Sequence, residues 1–312
     1  MDRLTENKII LVTRRTRLDE LISRFNTVDQ AKFYVEHLGA DFSDYVVERE
    51  TYRSSLAEAQ STLEKLGRVQ VIDRSFLPNF LFGNTDTIVV LGQDGLVANT
   101  LKYLSQQIVI GVNPDPQRWD GVLLPFVVSD LRLIVPEVFA RKRPIKEVTM
   151  AKAQLNNRQT LYAVNDLFIG PRSHISARYT IRKGNYEENH SSSGIIVSTG
   201  LGSTGWLKSL LTGAVGVASE LAGKQLDVDP RSSFAWDANY LYFTVREPFP
   251  SKTSSASLVF GTVTNEEPLI LVSQMAEHGV IFSDGIENDF LEFNSGTEAR
   301  ITTAERKGQL VV

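Results

Sequence analysis

The run Thr87-Ile88-Val89-Val90-Leu91 constrains this chain more than any other segment. A stretch of β-branched and aliphatic residues without a polar face must, as a strand, be covered on both sides. It stops at Gly92-Gln93-Asp94-Gly95, and Leu96, Val97, Leu101 and Leu104 then recur at helical spacing. A buried strand that turns directly into a helix belongs to a parallel α/β sheet, with the turn at the strand's carboxyl end. There the helix start leaves backbone N–H groups unpaired, and its dipole favours phosphate. A carboxylate among phosphates is repelled, so Asp94 makes chemical sense if it serves a metal, a hydroxyl proton or a ribose.

The alternation continues around that run. Lys8 to Val12 reads as a strand, and Thr27-x-x-Gln30 fits a capping box opening a helix that ends at Gly39. Leu56, Ala59, Leu63 and Leu66 mark a helix stopping at Gly67, with strands at Val69 to Ile72 and Ile108 to Val112. From about Ile134 short alternating strands take over: Val148 to Leu155, a turn at Asn156-Asn157, then Thr160 to Ala163. Ile175, Ala177, Tyr179 and Ile181 alternate before a Lys183-Gly184-Asn185 turn. Further strands are expected at Tyr240 to Val245, Leu258 to Val263, Leu269 to Ser273 and Val280 to Phe282, with one helix near Gly205 to Leu221. The pattern predicts an α/β domain with a Rossmann-like parallel sheet over residues 1–133 and a β-rich domain over 134–297, joined near Leu131 to Pro136.

Composition narrows the partners. The chain has 312 residues, 42% hydrophobic and 22% charged, enough for two packed domains. A formal charge of −4 gives no electrostatic case for nucleic acid or an anionic membrane as main partner. Cysteine is absent, which excludes disulfides, thiol nucleophiles and cysteine metal sites. His37, His174, His190 and His278 show no ligand spacing, so no resident metal site is expected. Asp2 and Glu6 precede the first apolar run, unlike a signal or transit peptide, and no apolar run approaches the ~20 residues that span a bilayer. A cytoplasmic location is expected, or a sequence given without its targeting segment.

Four further segments carry chemistry-bearing residues. Asn113-Pro114-Asp115-Pro116 follows a strand; Asn165-Asp166 sets an amide beside a carboxylate; Ser198-Thr199-Gly200-Leu201-Gly202-Ser203-Thr204-Gly205 lies between strand and helix; Asp284-Gly285 closes a strand. Each also has a plain structural reading. Gly-x-Asp-Gly and Asn-Pro-Asp-Pro make good tight turns, Asn-Asp makes turns or caps, Ser191 to Ser193 suits a solvated loop, and Asp-Gly suits a hairpin. Arg14, Arg15 and Arg17 form a candidate basic pocket or a set of surface ion pairs. Singly, none decides.

In order, these segments resemble the NAD kinase family (ATP-NAD kinases), and within it the mitochondrial-type branch. The supporting residues are Val12-Thr13-Arg14-Arg15-Thr16-Arg17, Gly92 to Gly95, Gly111-Val112-Asn113-Pro114-Asp115-Pro116, Ala163 to Gly170, and Ser192-Ser193-Gly194 leading to Ser198 through Ser203 and Trp206. The resemblance spans nearly the whole chain. It implies ATP- and Mg²⁺-dependent phosphorylation of the adenosine-ribose 2′-hydroxyl of NAD, an active site between an α/β and a β-rich NAD-binding domain, and a homodimer or larger homo-oligomer. It also implies that residues 298–312 return to the first domain.

By that resemblance Asp94 is the catalytic base. Asn165, Asp166, Thr204, Gly205, Ser193 and Asn113 contact the dinucleotide, while Gly92, Gly95, Gly202, Ser203, Arg14 and Arg17 serve phosphate. Gln93 departs from the usual second glycine. It costs roughly 1 kcal/mol or more if that position needs a positive φ. Leu96 replaces the usual threonine and removes a hydroxyl donor. Two other readings stay open at this stage: a related lipid or sugar kinase, since those share the glycine-rich loop logic, and a non-catalytic dinucleotide sensor disabled at Gln93 and Leu96.

Overall fold

The computed structural model describes residues 6–226 and 233–312. The chain divides into two compact units, the first formed by Met1–Lys146 with Gln309–Val312 and the second by Glu147–Gly308.

In the first unit, strand β1 (Lys8–Thr13) is followed by helices α1 (Arg17–Phe25), α2 (Val28–His37) and α3 (Phe42–Leu66). Then come β2 (Arg68–Asp73), β3 (Thr87–Leu91), α4 (Asp94–Leu101), β4 (Ile108–Asn113), the two-residue β5 (Phe126–Val127) and α5 (Leu131–Phe139). Strands β2, β1, β3 and β4 lie side by side and parallel, with β5 also parallel to β4. Every residue of β3 is buried, as its composition requires. Ile9, Leu11, Val89, Leu91, Ile110 and Val112 pack against Tyr52, Ala59 and Leu63 of α3 and against α5.

Local chemistry sets the helix ends. Thr16 caps α1 in a reciprocal box with Asp19, and Thr27 caps α2 by accepting from the Gln30 N–H. Asp41 opens α3, and Gly67 ends it. The join expected at Leu131 to Pro136 is instead helix α5. Leu131, Ile134, Val135 and Val138 all bury, and that packing carries the helix through a proline that lacks the N–H.

The second unit is built from strands with one long helix. Most of β6 (Ile145–Leu155) lies here, followed by β7 (Thr160–Ala163), β8 (Asp166–Pro171), β9 (Ala177–Lys183), β10 (Tyr186–Ser192) and β11 (Ile195–Ser198). Helix α6 (Trp206–Ala222) precedes β12 (Leu241–Val245), β13 (Phe260–Val263), β14 (Leu269–Ser273), β15 (Gly279–Ser283), β16 (Ile286–Glu292) and the long β17 (Glu298–Val311). One antiparallel sheet runs β13-β12-β11-β8-β15-β16. In the other, β9 lies between β10 and β14, and β14 pairs antiparallel with β17. Inward residues of both, including Tyr179, Ile181, Ile195, Val197, Phe243, Leu271 and Ile301, form one core. The last residues of β17 leave this unit: Gln309 and Leu310 pair parallel with Ile108 and Val109 of β4. Among the described residues no helix is long and apolar enough to cross a membrane.

Candidate active site

In the first unit the Gly92-to-Gly95 turn falls where β3 ends and α4 begins, with Gln93 as N-cap and Asp94 the first helical residue. Gln93 has φ −114° and ψ 164°, ordinary extended backbone, so glutamine brings no strain and the expected penalty does not arise. Gly92 is buried, and a Cβ there would stand 2.7 Å from Leu96 Cδ2 and 3.7 Å from Arg14 Cδ. Leu96 is thus packed beneath the turn, and Arg14 lies against it. Gly95 is exposed, with open space at its Cβ position.

Asp94 Oδ1 accepts a hydrogen bond from the Leu123 N–H at 2.6 Å. A chain of close contacts makes that bond. Gly111 in β4 lets the loop approach, since a Cβ there would stand 2.0 Å from the Leu123 carbonyl oxygen. Asn113 shapes the same loop. Its Nδ2 donates to the Trp119 carbonyl at 2.8 Å, and its Oδ1 accepts from the Asp115 N–H at 3.0 Å. Asn113 is buried, with both ends of its amide engaged in this loop.

The basic residues divide. Arg14 is 9% exposed and pairs with Glu48, itself 3% exposed, at 2.9 Å; its Nε is buried with no partner among the described residues. Arg17 is 42% exposed and already compensated by Asp44 and Glu48, each at 2.6 Å. Burial alone raises the Glu48 carboxyl, but hydrogen bonds from Arg17 and Arg14 hold it below its ordinary value. Arg118 and Arg17 hold Asp44 well below the usual carboxylate range. The Tyr52 hydroxyl accepts from the Arg14 N–H and donates to the Leu91 carbonyl, each at 3.0 Å, tying the ends of β1 and β3 together. Burial pushes Tyr52 up to about 12, which keeps that hydroxyl a donor. Asp44, Glu48, Tyr52 and Arg118 escaped sequence reading. The only signal was Asp44, Glu48 and Tyr52 at four-residue spacing on one face of α3.

In the second unit Asn165 lies between β7 and β8 and Asp166 begins β8, and Asp284 gathers them. Its Oδ1 accepts from the N–H groups of Val164 at 3.0 Å and Asn165 at 2.7 Å. Asp284 and Gly285, with φ of +55° and +71°, form the two-residue turn joining β15 to β16. The hairpin reading of Asp284-Gly285 thus misses a structural carboxylate. Asp166 pairs across the sheet with Ser198. Its Oδ1 is fully shielded and unpartnered, although the residue as a whole is only half-buried. Burial, offset by a Ser198 hydrogen bond and reinforced by the Asp284 charge, pushes the Asp166 carboxyl up to about 7.

The small-residue loop packs directly on Asn165. A Cβ on Gly202 would stand 2.2 Å from the Asn165 carbonyl oxygen, and the Thr199 N–H donates to that oxygen at 2.9 Å. The Gly202 N–H is bonded to Thr199 Oγ1 at 3.2 Å, and the Ser203 hydroxyl donates to the Gly200 carbonyl at 2.7 Å. Both are therefore internally engaged. Thr204 and Gly205 are exposed at the entry to α6. Ser193 is not part of this group. It precedes β11 while Ser198 ends it, and its hydroxyl donates to Glu247. Nor is Ser191 to Ser193 a solvated loop: Ser192 is buried at the end of β10, 2.9 Å from the Tyr179 hydroxyl.

Neither a protein-family model nor a curated protein matches this sequence. Its fold does match solved structures. One is an NAD kinase from Archaeoglobus fulgidus in complex with ATP, at 16% identity and TM-score 0.56, covering 98% of this chain and 93% of that one. Another is yeast NADH kinase complexed with NADH, at 14% identity and TM-score 0.57, covering 99% of this chain and 84% of that one. The chain has the two-domain fold of these kinases, a parallel α/β unit and an antiparallel β-rich unit.

Proposed function

We propose that this chain is an NAD kinase-like phosphotransferase that moves the γ-phosphoryl group of ATP onto the 2′-hydroxyl of the adenosine ribose of NAD. The observation that carries the reading is Asp94. It begins a helix at a strand's carboxyl end, with Oδ1 held by Leu123 and no hydrogen bond to Oδ2 among the described residues. Oδ2 then takes the ribose proton as the 2′-oxygen attacks phosphorus, the bond to the ADP oxygen breaks, and ADP and NADP leave.

Each unit supplies distinct groups. Gly92 and Gly95 let phosphate approach the backbone at the start of α4, and the shielded Nε of Arg14 beside Gly92 supplies positive charge. Arg17 supports Glu48 and Asp44 rather than the donor. Asn165, Asp166, Thr204 and Gly205 bind the dinucleotide, with Gly202 and Ser203 fixing the loop that carries the latter pair. Magnesium enters with the donor, bound through the ATP phosphates.

The Archaeoglobus structure holds ATP and the yeast structure holds NADH, which supports a nucleotide donor and a dinucleotide acceptor. A cytoplasmic homodimer belongs to the same proposal, and light scattering on the purified chain tests the dimer. The ordinary backbone at Gln93 speaks against a loop disabled by that residue. Incubation with ATP, Mg²⁺ and NAD or NADH, followed by enzymatic assay of NADP(H), tests the activity. NADP(H) formation supports it; label from ATP appearing only in a diacylglycerol or sugar acceptor contradicts it, as does dinucleotide binding with no product.

A further inference from the structure

We propose that the first unit holds a second ligand site, at the opposite ends of the strands that carry Asp94, and that it takes a ribonucleoside 5′-monophosphate. A cavity of about 620 Å³ opens where β3 and β4 begin, at Thr87 and Ile108, beside Gln309 of β17. The five residues of β3 set it roughly 16 Å from the Gly92 turn. Its volume falls within the range of about 300–1,000 Å³ in which small ligands are held.

The lining carries two arginines and one carboxylate, the buried Asp86, which accepts from the Gly83 N–H at 2.8 Å. Arg141 and Arg143 follow the end of α5 and line the cavity. Arg141 adopts φ +54°, a left-handed conformation that glycine takes without cost and other residues take only with strain. Its guanidinium has no hydrogen bond or ion pair among the described residues. Arg143 is ion-paired through Nε with Glu137 at 2.6 Å, its guanidinium carbon lies 5.6 Å from the Phe126 ring centroid, and its terminal nitrogens make no hydrogen bond among the described residues. The free guanidinium fork of Arg141 matches phosphate oxygens, with Arg143 beside it in sequence adding terminal N–H donors.

The other surfaces suit a base. Asn84, Gln106 and Gln309 line the cavity, and their amides make no side-chain hydrogen bond among the described residues. Such amides offer both donors and acceptors to the edge of a planar heterocycle. Phe139 and Ile145 add apolar contact. Cations at a helix C-terminus also interact with its dipole. That role needs neither a cavity nor an arginine where glycine is favoured.

The test uses the full chain, titrated with AMP, GMP, CMP and UMP and followed by calorimetry and amide hydrogen exchange, with inorganic phosphate and adenosine as controls. At least one monophosphate is expected to slow exchange at residues 84–87 and 106–108, more strongly than either control. Arg141→Gly, which removes the charge and relaxes the backbone, is expected to keep or raise the melting temperature and to weaken that nucleotide by about tenfold or more. Absence of protection there at millimolar nucleotide, protection confined to other segments, or equal binding by Arg141→Gly would each overturn the proposal.

Discussion

The Leu123 N–H donates to Asp94 Oδ1 at 2.6 Å, and the two residues are brought together by a glycine in neither segment. Gly111, in β4, leaves the space the Leu123 backbone occupies, since a Cβ there would stand 2.0 Å from the Leu123 carbonyl oxygen. The bond fixes one carboxylate oxygen and leaves the other to take a proton. The proposed base is thus positioned by a backbone N–H, which among substitutions at Leu123 only proline removes.

Gly111→Ala tests that support. The new methyl would stand 2.0 Å from the Leu123 carbonyl, so the loop must shift and take its N–H away. We expect a stability loss of about 1–3 kcal/mol and, from the lost hydrogen bond to a charged group, a kcat fall of about tenfold or more. Thermal melts and steady-state kinetics measure both; a wild-type kcat would mean the Leu123 bond does not matter to turnover.

Gly202→Ala probes the second unit in the same way. Its methyl would meet the Asn165 carbonyl at 2.2 Å and displace the residue proposed to hold the dinucleotide. Calorimetry should show NAD binding weakened by about tenfold or more, a cost of at least ~1.4 kcal/mol. Unchanged affinity would remove Asn165 from the proposed site.

Asp166 gives a pH signature. Its carboxyl, at about 7, stands above its ordinary value of 3.8. Between about pH 4 and 7 the folded protein keeps a proton that the unfolded chain has released, so this group's contribution to stability falls as pH rises through that window. Asp166→Asn stays neutral and should lack that fall. Melting temperatures of both proteins across the window decide it; a wild type that gains stability relative to Asp166→Asn as pH rises has the wrong sign.

Glu48 and Arg17 should contribute unequally despite sharing an ion pair. Glu48 is 3% exposed and answers two arginines, so Glu48→Ala leaves buried charge uncompensated and should cost about 3–5 kcal/mol. Arg17 is 42% exposed, and Arg17→Ala should cost about 1 kcal/mol or less. Urea denaturation separates them, and equal losses would contradict this division.

Strands β1, β3 and β4 were legible because their central residues are aliphatic and buried on both faces, and the carboxyl end of β3 located the Asp94 turn. Helix α1 was legible but went unread: Leu18, Leu21, Ile22 and Phe25 recur at helical spacing behind the Thr16–Asp19 cap. Strand β10 was hidden because it is a polar edge strand, with Glu187, Glu188 and Asn189 in mid-run. Asp284 was legible as a turn because turn chemistry is local. Its reach to Val164 and Asn165 spans 120 and 119 residues and leaves no local trace. The backbone angle at Gln93 likewise follows from how β3 enters α4, not from the residue itself.

The most direct measurement compares Asp94→Asn with the unaltered chain, assaying NADP formation from ATP, Mg²⁺ and NAD alongside calorimetric NAD affinity. The amide keeps the Leu123 hydrogen bond but cannot accept the ribose proton. The account predicts turnover reduced by about 10²-fold or more with NAD affinity nearly unchanged. Near-normal turnover in the variant would contradict it.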